Sequence, residues 1–239
     1  MPPRPTRKVK RVLARKPVRR RPKQMRKAPK MRLTRTSYKT PFPIKMNTQL
    51  VYKAPSSNIS SGGILSYNAC TFALNNMYDF DYNNILGNKQ PLFYDQLLSS
   101  DGPYKNFKVN AWKTTIRFIN LSDKALHLYY DPCVSLIVDA DTPTEIENRR
   151  GVQMFLLTGA NNSKPMITIN KFQTLKSFFP NSINQSENFA GSYNSSPSTQ
   201  AFSNMLWKTV DGSVASFSVA IQVQHIFYCT LYNADSIIS

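Results

Sequence analysis

Acidic side chains are absent from the first 78 residues of this chain; the first is Asp79. Between Arg4 and Lys53 nineteen Lys and Arg accumulate. With no carboxylate of their own to pair with, cations spaced this closely repel one another until a polyanion or condensed counterions screen them. The remaining residues carry twelve basic and thirteen acidic side chains, so the whole net charge of +18 belongs to the N-terminal segment. The chain is therefore a near-neutral body with a polycationic tail, not a globular protein with basic residues spread over its surface.

Other scarcities narrow the function. Eight glycines in 239 residues leave little room for a phosphate-cradling loop, and neither a Walker loop nor a dinucleotide fingerprint is present. The two histidines, His127 and His225, each sit inside an apolar stretch, where an imidazole is expected to be a hydrogen-bonded core or interface group, not a base. No catalytic residue and no cofactor are expected. Cys70, Cys133 and Cys229 are odd in number and far apart, which fits reduced, buried thiols of an intracellular protein and neither a disulfide framework nor zinc-ligand spacing. No apolar run is long enough to span a bilayer, and none follows the basic N-terminus as a secretory signal requires. The five Asn-x-Ser sequons, beginning at Asn58, Asn120, Asn161, Asn184 and Asn194, are accordingly expected to carry no glycans. One acidic cluster, Asp139, Asp141, Glu145 and Glu147 around Pro143, has the oxygen ligands that calcium uses, but it reads as a solvated loop and no metal site is assigned.

In the tail, residues 1–45, the first 37 residues contain no aromatic and have prolines at 2, 3, 5, 17, 22 and 29. Proline removes backbone donors and blocks helix interiors. A weakly apolar, highly charged segment cannot offset the entropy lost on ordering. An extended or disordered arm is expected, ordering only on its partner. Its phosphate-binding candidates are Arg4, Arg7, Lys8, Lys10, Arg11, Arg15, Lys16, Arg19, Arg20, Arg21, Lys23, Arg26, Lys27, Lys30, Arg32, Arg35 and Lys39. Arg grips phosphate bidentately and stacks on bases, whereas Lys acts as a mobile point charge. The dense runs Arg7, Lys8, Lys10, Arg11 and Arg19, Arg20, Arg21, Lys23 also match nuclear-import signals, read by host import receptors. The prolines forbid the long amphipathic helix of a mitochondrial presequence. A polybasic membrane anchor needs a second, lipid or apolar, signal that is not present here, so no membrane partner is expected.

Residues 46–239 form the body, a length suited to one large domain. Their hydrophobic period is two. In residues 216–224, Phe217, Val219, Ile221 and Val223 fall on one face and small or polar residues on the other, which predicts a strand with one buried face. It continues to Tyr232 without Gly or Pro, as one long strand or a bulged pair. Lys108 to Ile119 alternates likewise, with Trp112, Ile116 and Phe118 opposite Lys113, Thr115 and Arg117. Further strands are predicted at 64–74, 126–138 (with a bulge or break at Pro132), 152–157 and 166–172, and Asp211-Gly212 reads as a hairpin turn after Trp207–Val210. A short helix is predicted around residues 94–98. Spaced strands without βαβ alternation predict an all-β, two-sheet sandwich, and the strand count and size suit a single eight-stranded jelly roll.

A proline-broken Arg/Lys arm feeding a β-body of this size resembles a viral capsid protein. Phe93-Tyr94-Asp95-Gln96-Leu97, then Tyr104, Phe107 and Val109, then residues 112–118, are similar to the turn and basic-hydrophobic strand of circovirus-like capsid proteins. Ile169-Asn170-Lys171-Phe172 with Phe178-Phe179 and the closing residues 227–233 resemble further stretches of that family. The resemblance implies a jelly roll that self-assembles into an icosahedral T=1 shell of sixty copies. It also implies an arm lying on packaged single-stranded DNA, with the protein in the virion and, during assembly, in the host nucleus. The short link at Asp211-Gly212 departs from the longer loops of circoviruses proper and suggests a relative. A capsid protein of a small positive-strand RNA or satellite virus shares arm and jelly roll. A cellular nucleic-acid-binding module is a third reading, but it predicts a basic body.

Overall fold

The computed structural model describes residues 43–60, 67–87, 89–136, 143–180, 186–212 and 217–233. Nine strands occur among them: β1 (Lys45–Ser60), β2 (Tyr67–Ala73), β3 (Asn106–Asn120), β4 (Leu126–Cys133), β5 (Gln153–Leu157), β6 (Met166–Thr174), β7 (Ala190–Ser192), β8 (Phe202–Thr209) and β9 (Ser218–Tyr232). Three short α-helices, α1 (Tyr94–Leu97), α2 (Pro143–Glu147) and α3 (Leu175–Phe178), sit in the connections. None is long and apolar enough to cross a membrane.

The strands form two antiparallel sheets, one ordered β1-β9-β3-β6 with the short β7 also on β3, the other β2-β8-β4-β5. Leaving β7 aside, the pairs β1·β9, β2·β8, β3·β6 and β4·β5 nest around the β4–β5 reversal. This is one long antiparallel ribbon rolled into a sandwich, which is the jelly-roll topology.

Residue chemistry explains the register. β9 is a single unbroken strand, and the extra residues needed to fit its twist are placed in its neighbours. The β1 ladder shifts between Ala54 and Ser57, and the β3 ladder between Val109 and Ala111. The β3 bulge inverts that strand's alternation: Phe107 and Val109 point into the core before it, Trp112, Thr114, Ile116 and Phe118 after it. On β9, Val219, Ile221, Val223, His225 and Phe227 face inward while Gln222 and Gln224 face outward, as the alternation predicts; Ala220, opposite in phase, is nevertheless buried. Between the sheets Phe118 meets Trp207 edge-on at 5.3 Å, Phe80 and Phe227 pack on the His225 ring, and Phe72 stacks on Phe80.

Several expectations need correction. β1 is not evident from sequence, because its inward residues Leu50, Tyr52 and Ala54 alternate only briefly in a basic, polar setting; pairing with β9 extends it to sixteen residues. Asp211-Gly212 does turn, with Gly212 at φ 68° and its N–H donating to Thr209 O at 3.2 Å. It does not close a hairpin: β8 pairs with β2 and β4, and β9 with β1 and β3, so the link passes from one sheet to the other. Pro132 causes no bulge; β5 stops opposite Tyr130, so the strand edge where proline lacks its donor is unpaired there. The predicted 126–138 strand ends at Cys133, and residues 137–142 lie outside the described set. Cys70 and Cys229 are buried free thiols as expected, but Cys133 is half-exposed, its sulfur accepting from Asn204 Nδ2 at 2.9 Å.

Candidate nucleic-acid interface

All seventeen arm residues assigned to phosphate binding, from Arg4 to Lys39, and with them the import clusters, lie outside the described residues. The structure bears instead on what the body adds. β1, β3, β6, β7 and β9 contain no Asp or Glu at all. The strands of this sheet present Lys45, Lys53, Lys108, Lys113 and Arg117 on its outer face. Lys171 points the other way, over the Tyr130 ring at 5.9 Å.

The register lays these side chains out in rows across the sheet. Lys45 shares its row with Tyr232 and Asn106, and Asn47 with Thr230 and Lys108. Gln49, Tyr228 and Ala111 follow, then Val51, Ile226, Lys113 and Phe172. Next come Lys53, Gln224, Thr115 and Asn170, and then Gln222, Arg117 and Thr168. With strands ~4.8 Å apart and alternate residues ~7 Å apart, the cations form one stripe running the length of the sheet. Lys108 is pushed below its ordinary pKa by partial burial and by the neighbouring Lys45 charge. Among the described residues none of the five forms an ion pair.

Two aromatics interrupt the stripe. Phe172 is 63% exposed, and its ring meets Tyr228 edge-on at 5.8 Å. Phe172 stands opposite Lys113 and Tyr228 opposite Ala111, so the two rings meet diagonally across β3. On either side lie depressions, one of about 270 Å³ lined by Asn47, Thr48, Gln49, Asn110, Tyr228 and Cys229, the other of about 220 Å³ whose lining includes Lys53, Thr115, Arg117, Gln222 and Gln224. Near the first, Asn110 Nδ2 donates to Thr230 Oγ1 at 2.9 Å, and Thr230 Oγ1 donates to Asn47 Oδ1 at 2.8 Å.

The other sheet's outer face is chemically different. α2 packs Ile146 onto Tyr129 and Leu206, and its charges are paired: Lys208 with Glu147 at 2.6 Å, Arg149 with the buried Asp131 at 3.2 Å. Hydrogen bonds from Lys208 and Tyr129 hold the Glu147 carboxyl below its ordinary range. Of the acidic cluster, Asp139 and Asp141 lie outside the described residues, and Glu145 and Glu147 belong to α2. Among the described residues no three His, Cys, Asp or Glu side chains group as metal ligands.

His225 is a core group. Its ring is fully buried; Nε2 donates to Leu74 O at 3.1 Å, which leaves Nδ1 to accept from Thr114 Oγ1 at 2.7 Å. Burial lowers its pKa to about 3, so the imidazole is neutral. The Phe93-Tyr94-Asp95-Gln96 turn opens α1 with Phe93 in the left-handed region, φ 67°. Tyr94 is buried and its hydroxyl reaches Ser192 O at 3.3 Å and Tyr193 O at 3.2 Å, while Leu92 and Phe93 project into solvent. They border a groove of about 650 Å³ together with Tyr78, Asp79 and Lys89.

The body's basic face was partly visible in sequence, since Lys113, Thr115 and Arg117 alternate with the core residues of β3. Lys45, Lys53, Lys108, Phe172 and Tyr228 join them only through strand pairing. The missed signal was the acid-free composition shared by every strand of one sheet.

No protein-family model matches the chain, and no curated protein does. Solved structures with similar backbones include Desmodium yellow mottle tymovirus, 14% identical, covering 81% of this chain and 94% of that one with a TM-score of 0.36. The empty head of turnip yellow mosaic virus is 10% identical, covering 84% and 90%, with a TM-score of 0.42. The decameric BFDV capsid protein is 9% identical, covering 78% and 98%, with a TM-score of 0.36. The jelly-roll assignment rests on the strand order of this chain itself, an order used by viral capsid domains, lectins and cupins.

Proposed function

We propose that this chain is the capsid protein of a circovirus-like virus with a circular single-stranded DNA genome. It assembles with copies of itself into a sixty-copy, T=1 icosahedral shell and packages the genome through its basic arm. The observation that carries this reading is the segregation of charge: seventeen cations without one acid precede the edge strand of a near-neutral jelly roll. A cellular nucleic-acid-binding module concentrates its cations on its folded body. A shell protein needs its surfaces for neighbouring copies, so in this reading the genome-neutralising charge sits on the arm.

The mechanism follows from electrostatics. Each Lys or Arg from Arg4 to Lys39 that meets a phosphate releases a condensed counterion, so the arm favours any polynucleotide and its grip weakens steeply with salt. Sixty arms bring roughly a thousand positive charges, which suits a single strand on the order of a kilobase. Exposed Leu92 and Phe93, on a turn held in an unfavourable backbone conformation, suit contact with a neighbouring copy. The clusters at Arg7–Arg11 and Arg19–Lys23 direct the free protein to the nucleus, where the shell forms on its genome.

Electron microscopy of the expressed full chain tests assembly: uniform closed shells are expected, and a monodisperse small species at every salt concentration overturns the capsid reading. Digesting the nucleic acid extracted from particles with DNase or RNase tests the genome type. DNase sensitivity is expected; RNase sensitivity transfers the protein to the RNA-virus alternative.

A further inference from the structure

We propose that the outer face of the β1-β9-β3-β6 sheet is a second nucleic-acid site, one that stacks bases of a single strand on Phe172 and Tyr228 while Lys53, Lys113 and Arg117 hold its phosphates. It deepens the packaging reading and rests on it. The arm supplies cations but no aromatic ring before Tyr38, so its grip is dominated by charge and favours any polyanion. This face adds rings.

Four observations converge. The face carries five cations and no acid, whereas the opposite face pairs its cations with Glu147 and Asp131. Lys45 and Lys108 crowd each other. An aromatic as large as Phe172 stands mostly in solvent beside Lys113, meeting Tyr228 diagonally across β3. Depressions flank the pair, and the one lined by Lys53, Arg117, Gln222 and Gln224 offers donors for phosphate and for base edges. Cations that track a backbone, with aromatic rings between them, are the arrangement that binds single-stranded nucleic acid without sequence preference. A duplex buries its base faces and has nothing to offer these rings. A second copy of the same face is disfavoured because it would set cation against cation.

Full-length protein is crosslinked by ultraviolet light to oligo-dT and, in parallel, to oligo-rU, and the crosslinked peptides are mapped by mass spectrometry. Crosslinks at Phe172 or Tyr228 in addition to arm peptides are expected, with both oligonucleotides if the site is indifferent to sugar. Crosslinks confined to the arm overturn this site and leave the arm reading standing. Crosslinks confined to the sheet uphold the site and overturn the arm reading, and none at either place overturns both. Phe172→Ala in the full chain should weaken oligo-dT binding roughly tenfold, the scale of one lost stack. It should leave an abasic phosphodiester of equal length bound as before. Equal loss for both ligands, or unchanged oligo-dT binding with failed shell assembly, means the ring serves folding or a subunit contact and overturns the proposal. Lys53→Ser, Lys113→Ser and Arg117→Ser combined should lower the salt slope of single-strand binding by about 2, at ~0.7 per phosphate contact; an unchanged slope sinks the phosphate part.

Discussion

At the scale of single residues, burial and charge make different predictions for neighbours on one strand. Val219 is wholly buried, so Val219→Asp places an unpaired carboxylate between the sheets and should abolish soluble folded protein. Gln222 is exposed and lies opposite Arg117, so Gln222→Asp should leave the fold intact by circular dichroism and thermal melting. The reverse outcome would mean that the register of β9 is shifted by one residue. His225 provides a pH test. Its folded-state pKa of about 3 lies below the unfolded value of ~6.5, so the unfolded chain binds the proton first as pH falls. The stability contributed by the neutral imidazole is complete above ~6.5 and disappears as pH drops from there towards about 3, by on the order of a few kcal/mol. Asp81, raised by burial, has the opposite sign, since its contribution fades as pH rises. Subtracting the stability curve of His225→Gln from that of the native protein removes Asp81 from the comparison and should leave a rise between pH 3 and 6.5. A flat difference would show that His225 already titrates normally in the fold.

At the scale of elements, the strands behave as predicted wherever their alternation is long. β9 and the second half of β3 were legible because several large apolar residues recur at period two. β1 was not, because an edge strand needs only one inward row and Leu50, Tyr52 and Ala54 are a short one. The β3 bulge was equally invisible, since Asn110 is an ordinary polar residue whose role arises only from opposing β9. Deleting Asn110 should restore an unbroken ladder and turn either Phe107 and Val109 or the Trp112–Phe118 row outward. Insoluble or molten protein is expected, judged by dye binding and loss of near-ultraviolet dichroism. A cooperative native-like melt would show that the bulge is dispensable. Native-state hydrogen exchange should find the β9 amides among the slowest, because this strand is paired on both sides along most of its length.

At the scale of the whole molecule, arm and body should separate. Deleting residues 1–40 removes no residue of the described core, so the body should retain its melting cooperativity. Binding to single-stranded DNA at moderate salt should fall by orders of magnitude, because most of the phosphate contacts are gone. Undiminished binding by the truncated protein would refute the arm mechanism. Fused to a cytosolic reporter, residues 1–37 should bring it into the nucleus, and replacing Arg19, Arg20, Arg21 and Lys23 with Ala should weaken that transport. An evenly distributed reporter would count against the import signals. Refolding of the body should be slow for its size, since its outermost pair joins Lys45 to Tyr232 and every such closure loses chain entropy before contacts compensate.

Charge segregation, the absence of acids before Asp79 and the period-two pattern are properties of a linear chain; they define a polycationic N-terminal segment and an all-β body, and the proposed polyanion binding rests on the first. Local pattern also places Trp112, Ile116, Phe118 and Val219 in the core, because alternation alone sorts a strand's two faces. Which strands become neighbours is not encoded locally. The Asp211-Gly212 reversal has the same chemistry whether the flanking strands pair with each other or part into opposite sheets, and only the competition of all strands for partners selects the nested order. That selection brings Phe172 from β6 beside Tyr228 from β9, fifty-six positions apart, and gathers cations from β1 and β3 into one stripe. A surface assembled from three or four distant segments exists only once the sheet has closed.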